Sequence, residues 1–349
     1  STVLAGTTVK PVTDGHRVSH EELAYVVDST ASPVATLIPF NAWPLYVAGL
    51  VIGTIPLIQT ESQAYAFFIG SIPFNFYAMF AVLSTLLFAL GALPWVGGRM
   101  QRARERSRAT GALDAPEAEP MLDTATQPDG AALEAGYTPS LADFLVPIGL
   151  LLSIAILPYL FVGSFRINEA FLAAVLSAMI VARLRGMPLR RIMAAFVRGC
   201  QSMTIGAIVL ALAVTLKEVA GALDTAGFVV SLLGDALPQV ALPALLALIC
   251  MTIAFSTGTS WGTYAVVFPI AMPLAYALNP DPTYVSVCFG SVLGGAVFGD
   301  QCSPISDTTI LSSMFTGCDL MDHVRTQLPL ALIAAALGIV ISTLVVSSL

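Results

Sequence analysis

Two carboxylates, Asp300 and Asp307, share the stretch FGDQCSPISDTT (298–309) with the hydroxyls of Ser303, Ser306, Thr308 and Thr309, and apolar runs flank it on both sides. An ionised carboxylate placed in hydrocarbon costs at least about 2.5–3.5 kcal/mol, so it needs a partner or a task. No Arg or Lys lies in this stretch. Oxygen donors without a local base suit a hard cation, and backbone unwound at Pro304 adds carbonyl oxygens. These residue types read as an ion site at a broken helix, all six being candidate ligands. The plain alternative is a solvent-exposed loop between two spans.

A second polar turn, STGTSWGT (256–263), offers Ser256, Thr257, Thr259 and Ser260 with two glycines before another apolar run. Such a turn can coordinate an ion, or hold a carboxylate at the exposed amides of the following helix; without a ligand it is a capping turn. Thr13 with Asp14, and Asp28 with Ser29 and Thr30, are candidates for a matching half-site, although Asp-Ser-Thr before an apolar helix is also an ordinary N-cap. Lys217 and Glu218 end the apolar run at 200–216. Lys217 could neutralise a vacant ion site or snorkel to the interface. His16, His20 and His323 lie in polar stretches without metal-ligand spacing, and solvated histidines are expected.

The elements that carry these residues follow from composition. The chain has 349 residues, 56% hydrophobic and only 11% charged, with a mean hydropathy of +0.84. Soluble domains carry about 25% charged residues, so this is an integral membrane protein. Apolar runs near 33–58, 72–93, 142–162, 168–182, 200–222, 238–255, 262–279, 283–299 and 328–349 approach the roughly 20 residues of a membrane helix and lack the alternation of barrel strands. Seven to nine helical membrane elements are expected. Gly290, Gly294, Gly295 and Gly299 form a small-residue face for close helix packing. The five cysteines show no CxxC spacing and read as packing residues. No nucleic-acid partner, redox centre or cofactor is expected.

Ten of the fifteen Lys and Arg residues fall at Arg99–Arg108 and Arg183–Arg198, so both loops are expected on the cytoplasmic side of the cell membrane. Residues 109–139 are rich in Ala, Pro, Asp and Glu and form a flexible linker. The expected organisation is a membrane region at 1–98 holding part of a first repeat, a cytoplasmic basic loop and acidic linker at 99–141, and a membrane region at 142–349 holding the second repeat. The polar stretch 14–32 is expected to be cytoplasmic or interfacial, and 238–279 to form two spans or one re-entrant hairpin. Paired echoes, PVTD (11–14) with PISD (304–307) and DSTASPVATLIPF with FSTGTSWGTYAVVFP, are what a duplicated transporter would leave. The opening STVLAGTTVKPVTD has neither an initiator Met nor a signal pattern, so the sequence is expected to begin inside a longer protein.

Taken together, GGAVFGDQCSPISDTTILSS, GCDLMDHVRTQLP, STGTSWGT and KPVTDGHRVSHEELAYVVDSTASPV resemble the NhaC-type sodium/proton antiporter family over essentially the whole chain except the acidic linker. The resemblance implies an all-α polytopic secondary transporter with inverted repeats, broken helices and re-entrant hairpins. It implies Na⁺ and H⁺ as transported ions, malate or lactate as cargo in some relatives, and a membrane homodimer. It puts the motif aspartates on Asp300 and Asp307, the motif hydroxyls on Ser303, Ser306, Thr308 and Thr309, and the polar turn on Ser256 through Thr263. A hydrophobic region that family members carry ahead of PVTD is missing here.

The expected function is therefore antiport, in which Na⁺ and H⁺ alternately occupy Asp300 and Asp307 while one repeat rocks against the other. It is not an enzyme. A Na⁺- or H⁺-coupled carrier of a small organic acid is the alternative, with Lys217 and the hydroxyl turn holding the acid. An intramembrane aspartyl protease is the remote one, and its Gly-x-Gly-Asp is absent, since Val297, Phe298 and Gly299 precede Asp300.

Overall fold

Apolar runs punctuated by Gly, Pro and hydroxyl residues give short and long helices joined at sharp breaks. The computed structural model describes residues 2–120, 140, 142–162, 166–224, 228 and 238–349, and among them every regular element is helical. In chain order these are α1 (Thr2–Gly15), α2 (His20–Ser29), α3 (Ser32–Leu37), α4 (Ala42–Val51), α5 (Glu61–Ser71), α6 (Phe76–Ala89), α7 (Gly98–Thr110), α8 (Ala142–Val162), α9 (Ile167–Leu184) and α10 (Leu189–Ala222). After them come α11 (Leu242–Thr257), α12 (Ser260–Leu278), α13 (Pro282–Cys302), α14 (Asp307–Thr316) and α15 (Leu320–Ser347).

Local chemistry sets the boundaries. Ser19 and Glu22 form a reciprocal capping box at the start of α2, and Thr60 and Gln63 do the same for α5. Asn41, Asn75, Asp281 and Asp319 cap α4, α6, α13 and α15 through their side chains.

Among the described residues, four helical segments are long and apolar enough to cross a membrane: Gln239–Thr257, Ser260–Leu278, Pro282–Cys302 and Leu320–Ser347. Two further candidates are pairs bent by 52° at a break, His20–Leu37 with Ala42–Val51 and Glu61–Phe74 with Phe76–Ala89. The segments at 239–257 and 260–278 are thus each long enough for a span of their own. Helices α8, α9 and α10 take up the apolar runs at 142–162, 168–182 and 200–222.

Helix α13 is the buried centre, with its side chains enclosed from Tyr284 to Cys302. Its glycines work as two pairs on two faces. A Cβ on Gly295 would stand 2.6 Å from the Ala247 carbonyl oxygen, and one on Gly299 would overlap Ala254, so α11 lies directly against this face. On the other face a Cβ on Gly294 would stand 2.8 Å from the Asn75 side-chain oxygen, and one on Gly290 would overlap the Phe74 backbone. Side chains larger than hydrogen would hold off both the α11 backbone and the break before α6.

One expectation changes here. The basic stretch expected as a loop is a helix, α7, which buries Met100, Ala103 and Ser107 and docks on α2 through Arg104–Glu22 at 2.7 Å and Arg106–Glu21 at 2.8 Å. The polar stretch 14–32, expected to be cytoplasmic or interfacial, contains α2, which is buried against neighbouring helices at His20, Glu21 and Glu22 as well as Leu23 and Tyr25. Its acids tolerate burial because their bases arrive from α7, more than eighty residues away. Most of the acidic linker, 121–139, lies outside the described residues.

Candidate functional site

Three helix breaks meet in one place, and Pro304 causes the first. In a continuing helix the Asp300 carbonyl would accept from the amide of residue 304, but proline has none. The hydroxyls of Thr308 and Thr309 donate to that carbonyl instead, each at 2.8 Å. The Gln327 side-chain amide likewise donates to the Gln301 carbonyl. Carbonyls that sequence reasoning assigns to an ion are satisfied by the protein's own side chains.

The second break separates α11 from α12. Gly258 ends α11 in the left-handed conformation at φ 69°, and its bare Cα lets the Ile305 carbonyl of the first break come close; a Cβ there would stand 2.6 Å from it. Ser303 fastens the two breaks together by donating to the Phe255 carbonyl at 2.7 Å. The third break, between α2 and α3, brings in Ser29 and Ser32.

Asp300 sits where these breaks converge, 3% exposed. Its Oδ1 accepts from the Ser260 backbone N–H at 2.8 Å, and its Oδ2 accepts from the Ser260 hydroxyl at 2.5 Å and the Ser32 hydroxyl at 3.2 Å. The Ser260 amide is the first of α12, so the carboxylate held by the polar turn is Asp300 itself, at the positive end of that helix. No basic side chain is among these partners.

Asp28 is a second buried carboxylate, 1% exposed at the end of α2. Its Oδ2 accepts from Gln327 Nε2 at 2.8 Å, and lies 3.3 Å from the Thr309 hydroxyl oxygen and 3.1 Å from His323 Nε2. Thr309 therefore stands between Asp28 and the Asp300 backbone. The Asp28 Oδ1, His323 Nδ1, Gln327 Oε1 and Ser312 Oγ atoms are buried without a hydrogen-bond partner among the described residues, which leaves polar capacity free for an ion or water. Gln301 closes the network, accepting from the Tyr77 hydroxyl at 2.5 Å and donating to Ser29 at 2.8 Å.

The remaining sequence candidates divide. Ser306 is buried and its hydroxyl lies 3.1 Å from that of Thr308. Asp307 is exposed in the first turn of α14, so the buried carboxylate accompanying Asp300 is Asp28 and not Asp307. Ser256 and Thr257 are exposed and return their hydroxyls to the carbonyls of Thr252 and Ile253 in their own helix. Thr259 caps α12 at the Gly262 amide. Thr30 is exposed and bonds back to the Val26 carbonyl.

Thr13 bonds to the Lys10 carbonyl, and Asp14 pairs with Lys10 at 2.8 Å and with His20 at 3.4 Å. That cluster belongs to the α1–α2 corner, where His20 also meets Asp114 at 2.7 Å. Glu218 is exposed on α10, and the Lys217 side chain lies outside the described residues. Of the histidines only His16 is exposed; His20 and His323 are buried against carboxylates, which corrects the expectation of solvation.

Sequence reasoning misses Ser32, His323, Gln301, Gln327 and Tyr77 as members of this network. One signal was available, since His323 and Gln327 stand four apart and share a face of α15.

Residues 34–347 match the model of the Na⁺/H⁺ antiporter family. Over 93% of this chain and 64% of the other, the sequence is 30% identical to an uncharacterized protein of Haemophilus influenzae. It is 35% identical to the malate-2H⁺/Na⁺-lactate antiporter of Bacillus subtilis over 28% of this chain and 20% of the other. It is 41% identical to the Na⁺/H⁺ antiporter NhaC of Alkalihalophilus pseudofirmus over 22% of this chain and 16% of the other. The chain thus spans less than two thirds of the length of each of these relatives. No solved structure matches it.

Proposed function

Because the chain belongs to the Na⁺/H⁺ antiporter family, we propose that it exchanges Na⁺ for H⁺ across the cell membrane, the two ions competing for the buried carboxylate of Asp300. The observation that carries this reading is the make-up of the Asp300 shell. A fully enclosed carboxylate is held by two hydroxyls and one helix-terminal amide, with no basic partner among them. Such a group holds its charge through hydrogen bonds alone, and either a small cation or a proton relieves the remaining cost of burial.

Ser260 and Ser32 are suited to both states. Each hydroxyl donates to the carboxylate while its own lone pairs remain able to face a cation. Asp28, reached through Thr309, is the second carboxylate of the same core, and its unpartnered Oδ1 adds an acceptor for the cargo. Antiport follows if Na⁺ and H⁺ cannot be held together. The two sides gain access in turn by movement at the breaks, where few backbone hydrogen bonds must change. The basic stretches around α7 and at the α9–α10 turn face the cytoplasm in this reading.

The test uses the full-length protein in sealed vesicles and follows proton movement after a Na⁺ pulse. Exchange by the unaltered protein and its loss in Asp300→Asn support the reading. Undiminished exchange in Asp300→Asn would remove Asp300 from the ion path. A second reading, coupled carriage of a small organic acid, draws on the likeness to the malate-2H⁺/Na⁺-lactate antiporter. Labelled malate or lactate uptake into the same vesicles separates the two.

A further inference from the structure

The arginines of α7 divide into two sets. Arg104 and Arg106 are engaged by Glu22 and Glu21, and Arg104 also lies over the Phe88 ring at 4.5 Å. Arg99 and Arg102 on the same helix, with Arg325 on α15, are exposed and enter no ion pair among the described residues. These three line a cavity of 270 Å³ whose wall also includes Trp95 and Pro329 and, among the described residues, contains no carboxylate. The same three arginines also border an adjoining cavity with Glu21 and Asp322, where Glu21 is already paired with Arg106, and Arg325 borders a further one with Glu117, Asp319 and Asp322; none of these acids is in an ion pair with the three among the described residues.

The position of the cavity is as informative as its charge. The apolar helix α6 ends at Ala89, and the apolar part of α15 begins at Leu328, just past Arg325. Trp95 stands 52% exposed beside Gly97 and Pro329, where a membrane protein places an aromatic at the headgroup level. An unpaired cationic pocket between two helices, with an indole and a proline ring on its apolar wall, fits a group that is anionic at one end and greasy at the other.

We propose that this cavity binds the phosphodiester headgroup of an anionic phospholipid. Guanidinium groups offer forked donors to phosphate oxygens, and basic pockets between membrane helices at the surface select anionic headgroups. Trp95 and Pro329 meet the glycerol and upper acyl region. Free inorganic phosphate has the same charge chemistry but makes no use of that apolar wall. A bound lipid would join α7 to α15, and through Glu21 and Glu22 it would steady α2, which carries Asp28.

The test is quenching of Trp95 fluorescence in nanodiscs holding the full-length protein. Phosphatidylglycerol and phosphatidylcholine, each with brominated acyl chains, are compared at equal mole fraction, and Trp95→Phe identifies the signal against Trp43 and Trp261. Stronger quenching by brominated phosphatidylglycerol is expected, with roughly fivefold of the enrichment lost for each arginine changed to glutamine. Arg108→Gln, outside the cavity, should leave it intact. Equal quenching by the two lipids, or unchanged preference in Arg99→Gln/Arg102→Gln/Arg325→Gln, overturns the site. Relief of quenching by inorganic phosphate in either lipid assigns a soluble anion and equally overturns it. If the triple variant does not reconstitute, the single exposed change Arg102→Gln decides by the same readout.

Discussion

The hydroxyl of Ser260 donates to Oδ2 of Asp300 at 2.5 Å, and the amide of the same residue donates to Oδ1 at 2.8 Å. One residue at the first turn of α12 thus grips both oxygens of a carboxylate on α13. A hydrogen bond to a charged group contributes about 1.5–3 kcal/mol, so Ser260→Ala should weaken Na⁺ binding by that order while the amide contact persists. The check is the concentration of Na⁺ that gives half-maximal exchange in vesicles. An unchanged half-saturation would remove Ser260 from the cation site.

Asp28 and Asp307 separate two accounts of the second carboxylate. Asp28 is enclosed against His323, Gln327 and Thr309, whereas Asp307 is exposed. Exchange should be lost or severely reduced in Asp28→Asn and largely kept in Asp307→Asn. The reverse result would restore Asp307 to the role that the sequence motif suggests.

Competition between ions fixes the sign of the pH effect. Where the proton-bound form dominates, each unit of falling pH should raise the apparent half-saturation for Na⁺ about tenfold, while the maximal rate at saturating Na⁺ is retained. Initial rates measured over a grid of Na⁺ concentration and pH test this. Half-saturation that ignores pH argues against a shared carboxylate.

Close packing at α13 makes a separate claim about stability. Gly295 faces the Ala247 carbonyl with no room for a Cβ. Gly295→Leu should force α11 away and destabilise the protein by at least about 1–3 kcal/mol, seen as a lowered melting temperature in detergent. The same change at Gly70, where an added Cβ meets nothing within 4 Å, is the comparison and should leave the melting temperature nearly unchanged.

The α2–α7 contact is the last target. Glu21 is 3% exposed at its side chain and accepts from Arg106 through both oxygens, at 2.8 and 2.9 Å. Arg106→Ala leaves that carboxylate buried and unpaired, at a cost of about 3–5 kcal/mol. Faster amide exchange or proteolysis in residues 98–120 is expected, while Arg108→Ala should behave as the unaltered protein.

How far the sequence reaches shows at Pro304. Its missing amide and the polar residues around it are enough to announce a helix break, and the glycine spacing on α13 announces close neighbours. The same local reading stops short at α2. HEELAYVVDS carries no sign that its acids are enclosed, because their partners are remote: Arg104 and Arg106 on α7, and His323 at a separation of 295 residues. His323 itself reads as solvated, since nothing adjacent in the chain indicates that Asp28 will face it.

By itself, then, the sequence determined the membrane class, the helical fold, two of the places where helices break and the residue types gathered there, because insertion cost, proline geometry and glycine size act locally. Only the tertiary structure decided which polar groups face one another. Asp300 and Asp307 are neighbours along the chain, yet the turn between α13 and α14 buries the first and exposes the second. The carboxylate that joins Asp300 in the interior comes from α2, carried there by helix packing that no local pattern encodes.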